Sequence, residues 1–428
     1  MRTLTLLLLI LAACGRPDPC EAGLCPTGTH CDVKTGTCKA VADALPEPVG
    51  VFGATSLLAT PAGGLAVLGY APARQSLVYL AGYAGLTGDP ANAGGDSSWA
   101  ASYLAGPAAD AGEKPAGQVS AAVAAPDGRV HAAWLRPGDA TLWYAVGGKG
   151  TWQREAVAVA AAGSVAGPIA IGLWQDQPTV AYRSADSTRI RVARRQGGGA
   201  WLLEEVPPPP AKAASPVDVG RSLAMLITPA GPVLAAYDAV AGDLLLAARG
   251  ATGWSVARLA GTDVVTGADT GDVGRPLAMA LGPGGDVVVA YRDADRGEVR
   301  IVRAHAGIAA HEVVTSGARP HPATGTVRME LVGTALAVAV LPDGRAVVAV
   351  QDATRLRVLV AVEQPSGSFA VLPAPDTGRA QAWPQLLLQE SGAMVCTYVE
   401  IDVQRGPGGG RLVAWPVPTS GAPGGAQP

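Results

Sequence analysis

Apolar residues run along this chain in short bursts divided by tight punctuation, and the bursts return. The runs "SLLA", "SAAVA", "IAIGL", "LAMLI", "LAMAL", "LAVAV" and "QLLLQ" each lead into a turn. Those turns read "TPAGG" (60–64), "APDGR" (125–129), "WQDQP" (174–178), "TPAGP" (228–232), "GPGGD" (282–286), "LPDGR" (341–345) and "QESGA" (389–393). A second run follows each turn, as in "VLAAY", "VVVAY" and "MVCTY", and it mostly ends in an aromatic residue. A polar knot comes next, then a third run such as "DLLLAAR". A weaker fourth run starts near Trp152, Trp201, Trp254 or Phe369, with Trp99 as a further candidate after a long insertion. Counted from Pro61 through Pro126, Gln175, Pro229, Pro283 and Pro342 to Glu390, the steps are 65, 49, 54, 54, 59 and 48 residues.

Runs of this length without a 3.6-residue period are strands. Pro at the second turn position presets φ near −65°, and a following Gly releases the chain into the next strand. Four strands per repeat and seven repeats predict an all-β, seven-bladed β-propeller over residues 46–418. Sandwiches need not repeat at this period, and solenoid repeats are shorter. The middle runs stay apolar at nearly every position because a blade's inner strands are covered on both faces by neighbouring blades. The seventh repeat supplies three clear strands before "PTSGAPGGAQP", and the missing one is expected from "PVGVF" (48–52), which would close the ring and protect its edges. Residues 419–428 are expected to be a disordered tail.

Alternating strand directions put the knots and the inter-blade loops (82–118, 207–221, 261–276 and 315–334) on one rim, where binding loops of rigid scaffolds gather. The stretch "VVVAYRDADRGEVRIVRA" (287–304) therefore reads as a hairpin rather than a reaction centre. On this rim the candidate ligand-binding residues are Asp186, Asp238, Asp293, Asp352, Arg355 and Asp402. The first reading of each Asp is nonetheless local, capping backbone N–H groups in a tight turn, with contact to glycan hydroxyls or a partner's Lys/Arg as the alternative. No D-x-D-x-D-G run occurs, so no metal site is predicted.

The first 45 residues carry a different message. "MRTLTLLLLILAACGR" has one Arg and then an apolar run from Leu4 to Ala13, too short to span a bilayer and right for the core of an export signal. Its end, Leu11-Ala12-Ala13-Cys14, resembles a bacterial lipobox. That resemblance implies a signal peptide over 1–13 and acylation of Cys14, with Gly15 leaning towards the outer membrane. Cys20, Cys25, Cys31 and Cys38 then fall in a short head and linker (14–45), which in an oxidising compartment reads as two disulfides with three possible connectivities. Zinc is the weaker reading, since no C-x₂-C pair is present and His30 has no second His nearby.

Composition narrows the function. Charged residues make up only 16% and the net charge is −3, so no cationic footprint for nucleic acid exists. G-x-S-x-G, H-E-x-x-H and P-loop motifs are missing, and no catalytic residue or cofactor is predicted. The five histidines are scattered: His131 in "RVHAAW" reads as a satisfied strand residue, and His321, between two prolines, as an exposed one. Cys396 reads as a buried, inert thiol. Trp383 in "QAWPQ" reads as an exposed aromatic.

In pattern, residues 48 to 418 resemble the sialidase-like and lectin-like seven-bladed propellers. The sialidase-like enzymes carry an S-x-D-x-G-x-x-W box and an arginine cluster. "SADSTRIRVARR" (184–195) has Ser, Asp and Arg without the Gly and Trp spacing, which sets it apart from a glycosidase. The sequence thus predicts an exported lipoprotein, anchored to the bacterial envelope by an N-terminal lipid. Its propeller is expected to be a non-catalytic binding or scaffold module for a protein or glycan partner. A carbohydrate-binding, lectin-like propeller is the alternative, and a glycoside hydrolase or lyase the third.

Overall fold

The computed structural model describes residues 29–32 and 37–40, and then 52–419 apart from 61–63, 83–99, 137–140, 149–150, 158–164, 210–216, 263–269, 306–307, 321–326 and 403–409. Seven antiparallel meanders follow one another. Blade one comprises Phe52–Ala59, Leu65–Ala71, Ser76–Gly82 and Ala100–Ala105. Blade two comprises Ser120–Ala124, Val130–Arg136, Thr141–Gly148 and Thr151–Ala156. Blade three comprises Val165–Trp174, Gln177–Ser184, Ile190–Arg195 and Trp201–Glu205. Blade four comprises Val219–Thr228, Gly231–Asp238, Asp243–Gly250 and Gly253–Ala260. Blade five comprises Val273–Leu281, Val287–Asp293, Glu298–His305 and Ile308–Ser316. Blade six comprises Val332–Val340, Ala346–Asp352, Arg357–Glu363 and Phe369–Pro373. Blade seven comprises Ala380–Leu388, Met394–Ile401 and Gly410–Val417. A small hairpin, Ala318–Pro320 with Val327–Met329, is inserted between blades five and six. The helical content of the described residues is one turn, Pro72–Arg74.

Within each blade the strands pair in chain order, and the first strand of every blade lies against the first strand of the next. Blade seven's first strand lies against blade one's, which closes the seven-bladed ring with the first strands innermost. The core is divided accordingly into seven apolar layers, each between two adjacent blades. One layer joins Val288, Ala290 and Ile301 of blade five to Val338, Val348 and Leu359 of blade six. The closing layer joins Val67, Val78 and Leu80 of blade one to Val399 and Leu412 of blade seven, and is the smallest among the described residues. Burying a Val or Leu side chain contributes about 1.5–3 kcal/mol, so blades that cannot hide their faces alone are held by their neighbours. This explains the unbroken apolar runs: every residue of Gly231–Asp238 is buried, while the outer strand Thr151–Ala156 is largely exposed.

Four turns between first and second strands share one device. Gly128, Gly285, Gly344 and Gly392 donate their N–H to the carbonyl three residues back, at Ala125, Gly282, Leu341 and Gln389. Their φ values of +81 to +88° lie where glycine meets no Cβ penalty. At "WQDQP", Gln175 and Asp176 both have positive φ, so a two-residue hairpin turn replaces the Pro form.

Two expectations need correction. Phe52 of "PVGVF" runs in blade one's innermost strand, paired with Tyr70, and does not form a fourth strand of blade seven; residues 48–51 lie outside the described residues. Blade seven has three strands among the described residues, and the ring closes by packing. The inter-blade loops are also shorter than expected. Ala100–Ala105 is a strand inside 82–118, and Val219, Val273 and Val332 already open first strands, because a bulge near each start breaks the pattern that marks a strand in sequence. Cys14, Cys20, Cys25 and residues 420–428 lie outside the described residues, while Cys31 and Cys38 face each other in the register of a hairpin, Thr29–Asp32 with Thr37–Ala40.

Candidate binding basin on the loop-rich rim

The acids expected on the rim are present, but most are turned inward. Asp238, Asp293 and Asp352 end the second strands of blades four, five and six and are 2%, 0% and 1% exposed. Each Oδ1 accepts a backbone N–H from its own turn: Val240 at 3.1 Å, Arg296 at 3.0 Å and Arg355 at 3.1 Å. Asp293 Oδ2 also takes Arg296 Nη1 at 2.8 Å, and Asp352 Oδ2 takes Arg357 Nε at 3.4 Å. These carboxylates hold their hairpins shut. Asp186 is exposed in blade three's turn, and Asp402 is half-buried just past blade seven's second strand. Arg355 is exposed beside Asp352, and its Nη2 donates to Glu330 Oε1 at 2.8 Å.

The open chemistry lies one step inward. Val219-Gly220-Arg221, Val273-Gly274-Arg275 and Val332-Gly333-Thr334 open the first strands of blades four, five and six, and each strand slips register before Leu223, Leu277 or Leu336. The glycines take φ of +99°, +108° and +83°. A Cβ there would stand 3.1 Å from Ile190, 3.3 Å from Leu244 and 2.6 Å from Val299, all near the start of the preceding blade's third strand. Only glycine permits both the bend and the close approach. The residue after it faces a cavity of about 450 Å³, lined by Arg221, Ser222, Tyr237, Asp272, Arg275 and Arg292. Thr334 completes the wall on the blade six side.

Three guanidinium groups thus face one lining carboxylate. Asp272 Oδ1 accepts the Tyr237 hydroxyl at 2.7 Å. Burial first, and then this bond and the Asp272 charge, push the Tyr237 phenol up to about 12. Arg292 is fixed by its Nε–H to Val332 O at 3.1 Å. Arg221 and Arg183 both reach the Asp218 carboxylate at 2.6 Å. Burial works to raise that carboxyl, and the two arginines outweigh it, holding it below its ordinary range. Arg275 is exposed and makes no ion pair among the described residues. Of these lining residues only Arg292 lies in a stretch singled out in the sequence, where it reads as part of a hairpin, although the repeated "VGRSL", "VGRPL" and "VGTAL" (219–223, 273–277 and 332–336) carried the signal.

The tryptophans that mark fourth strands have a separate role. Glu155 of blade two accepts Arg195 Nε at 2.7 Å and Trp201 Nε1 at 3.1 Å, both from blade three. Glu204 of blade three accepts Arg249 Nε and Trp254 Nε1 of blade four, both at 2.9 Å. The same Arg–Glu–Trp clasp therefore joins two successive blade pairs at their outer strands. The hydrogen bond from Arg249, helped by Trp254 and opposed by burial, holds the Glu204 carboxyl low. His131, 5% exposed, bonds Tyr144 Oη through Nδ1 at 2.6 Å, as a satisfied strand residue should. Burial above all, with the nearby Arg129 and Arg195 charges, lowers it to about 4. Cys396 is free and fully buried, which pushes its thiol up. Trp383, expected to be exposed, is half-buried against the closing layer instead; His321 lies outside the described residues.

No family model and no curated protein matches the chain. Solved structures do. An alpha-L-arabinanase of Penicillium chrysogenum complexed with arabinobiose is 12% identical, with a TM-score of 0.47, 70% of this chain covered and 92% of that one. The SapL1 lectin in complex with alpha methyl fucoside is 12% identical, with a TM-score of 0.45 and coverage of 76% and 97%. A NanB sialidase of Streptococcus pneumoniae is 10% identical, with a TM-score of 0.38 and coverage of 90% and 71%. Enzymes and lectins stand side by side among these neighbours, so they leave the activity open.

Proposed function

We propose that this chain is an exported lipoprotein whose propeller is a non-catalytic binding module, with the basin between blades four, five and six as its ligand site. The basin carries this reading. It is a concave, largely preformed space built by three successive first strands, on the rim where the longer connections meet. Its single lining carboxylate, Asp272, is engaged by Tyr237, whereas two-carboxylate hydrolysis needs a free acid and a free base about 5–10 Å apart. Arg221 and Arg292 are held by Asp218 and Val332 O, and arginines suit recognition, since their forked donors read acceptor groups at defined geometry.

The N-terminal reading belongs with it. Acylation at Cys14 would tether the propeller to the envelope, each buried acyl CH₂ contributing about 0.8 kcal/mol. Cys20, Cys25, Cys31 and Cys38 would close two disulfides in the segment between lipid and ring. Among the described residues no helix is long and apolar enough to cross a membrane. Labelling cells with radioactive palmitate tests the tether: the wild-type chain takes up label and Cys14→Ser does not. Label persisting in Cys14→Ser would refute the anchor. A glycan array probed with the detergent-solubilised full chain tests the module, and glycan turnover in place of binding would refute the non-catalytic reading.

A further inference from the structure

Resting on the binding-module reading above, we infer that the basin takes an oxyanion, a carboxylate, sulfate or phosphate group presented by its ligand. The argument is a balance of donors and acceptors. Arg275 comes to the wall with no hydrogen bond or ion pair among the described residues. Arg292 has one nitrogen held by Val332 O, so its position is set while its terminal nitrogens make no hydrogen bond among the described residues. Arg221 divides the Asp218 carboxylate with Arg183, so one negative charge answers two positive ones. Ser222 Oγ accepts the Leu277 N–H at 3.2 Å, which leaves its own hydrogen to donate, and Thr334 adds an exposed hydroxyl.

Against these donors stands Asp272. One of its oxygens already accepts from Tyr237, and its backbone N–H is tied to Asp295 Oδ2 at 3.0 Å. A wall that offers forked cationic donors and hydroxyl hydrogens fits a ligand rich in acceptors and bearing negative charge. Composition does not produce this local excess, because the whole chain carries a net charge of −3. The volume of about 450 Å³ falls within the range of small-molecule sites, roughly 300–1,000 Å³, and admits a group the size of one acidic sugar ring. The repeated V-G-R opening gives the site a definite origin: two neighbouring blades place the same side chain at the same height, and blade six places a threonine there.

The test is calorimetric titration of the detergent-solubilised full chain with sulfate, phosphate and acetate at constant ionic strength, set against chloride. A second arm uses an oligosaccharide bearing uronic acids beside its neutral counterpart. Oxyanions should bind where chloride does not. Arg275→Ala should weaken them at least about tenfold, and Arg275→Lys should recover part of the loss, since a point charge lacks the fork. Arg275 is exposed, so an unchanged melting point would certify that the variant folds. Binding of the simple ions points to a free anion as ligand; binding of the uronic oligosaccharide alone points to an acidic glycan, and either supports the inference. Tight binding of the neutral oligosaccharide, unmoved by Arg275→Ala, would overturn the oxyanion and leave the binding module standing. Failure of every probe to bind would overturn the oxyanion too, and turnover of the oligosaccharide would instead sink the non-catalytic reading.

Discussion

Arginine appears in two settings in this ring, and the contrast separates structure from recognition. At the outer edges of blades two to four, Arg195 and Arg249 each meet a glutamate that also holds a tryptophan, so charge, hydrogen bond and ring are all satisfied across the blade boundary. In the basin, Arg275 makes no ion pair among the described residues and Arg292 meets a backbone carbonyl. The two kinds look alike in sequence. What differs is whether a neighbouring blade supplies an acid at that height.

The contrast can be broken at its foundation first. Gly333→Ala should cost about 2–4 kcal/mol, because φ of +83° strains any side chain and the new Cβ meets Val299 at 2.6 Å. Denaturant titration measures it, and a loss below about 1 kcal/mol would mean that the basin floor is not built by glycine. Next comes acid. His131 beside the clasp binds its proton in the unfolded chain near pH 6.5 but in the folded chain only near pH 4. Its stabilising contribution is therefore complete above pH 6.5 and is lost as pH falls from 6.5 to 4, by about 3 kcal/mol. His131→Gln should flatten that part of the stability profile, and an unaltered slope would remove His131 as its source.

A smaller effect tests the clasp directly. Glu204→Gln replaces the acceptor of Arg249 and Trp254 by an amide and should cost about 1 kcal/mol, since the site is partly solvated. The cost should shrink as the Glu204 carboxyl titrates in acid. The smallest effect is the sharpest: Arg275→Ala should shift stability by less than about 0.5 kcal/mol while it weakens oxyanion capture at least about tenfold. If Arg275→Ala destabilises as much as Glu204→Gln, the two classes of arginine are one.

The ring was readable from sequence because its signals are local. Pro and Gly at turn positions, apolar runs of strand length and a recurring tryptophan are each set by one blade and its immediate neighbours. The residues from Val287 to Ala304 showed this well, and they fold as the hairpin their pattern describes. The basin was hidden because its residues sit before a bulge, where period-two alternation fails and the chain imitates a loop. The charges of the knots offered two roles, turn capping and contact with a ligand, and sequence alone did not separate them. Asp293 and Asp352 take the capping role, each folded back onto its own turn. Sequence shows that a carboxylate is present; whether it points outward depends on the turn's hydrogen bonds.

Blade seven's chain does not cross into blade one among the described residues, and the two meet through side chains alone across the smallest apolar layer. Among the described residues every blade is consequently a single stretch of chain, and no strand must wait for a distant partner before it pairs. A polypeptide emerging from its N-terminus can then lay down one blade upon the last, in order of emergence, and finish by pressing two finished walls together. The same arrangement makes that junction the place where the circle would part first under load.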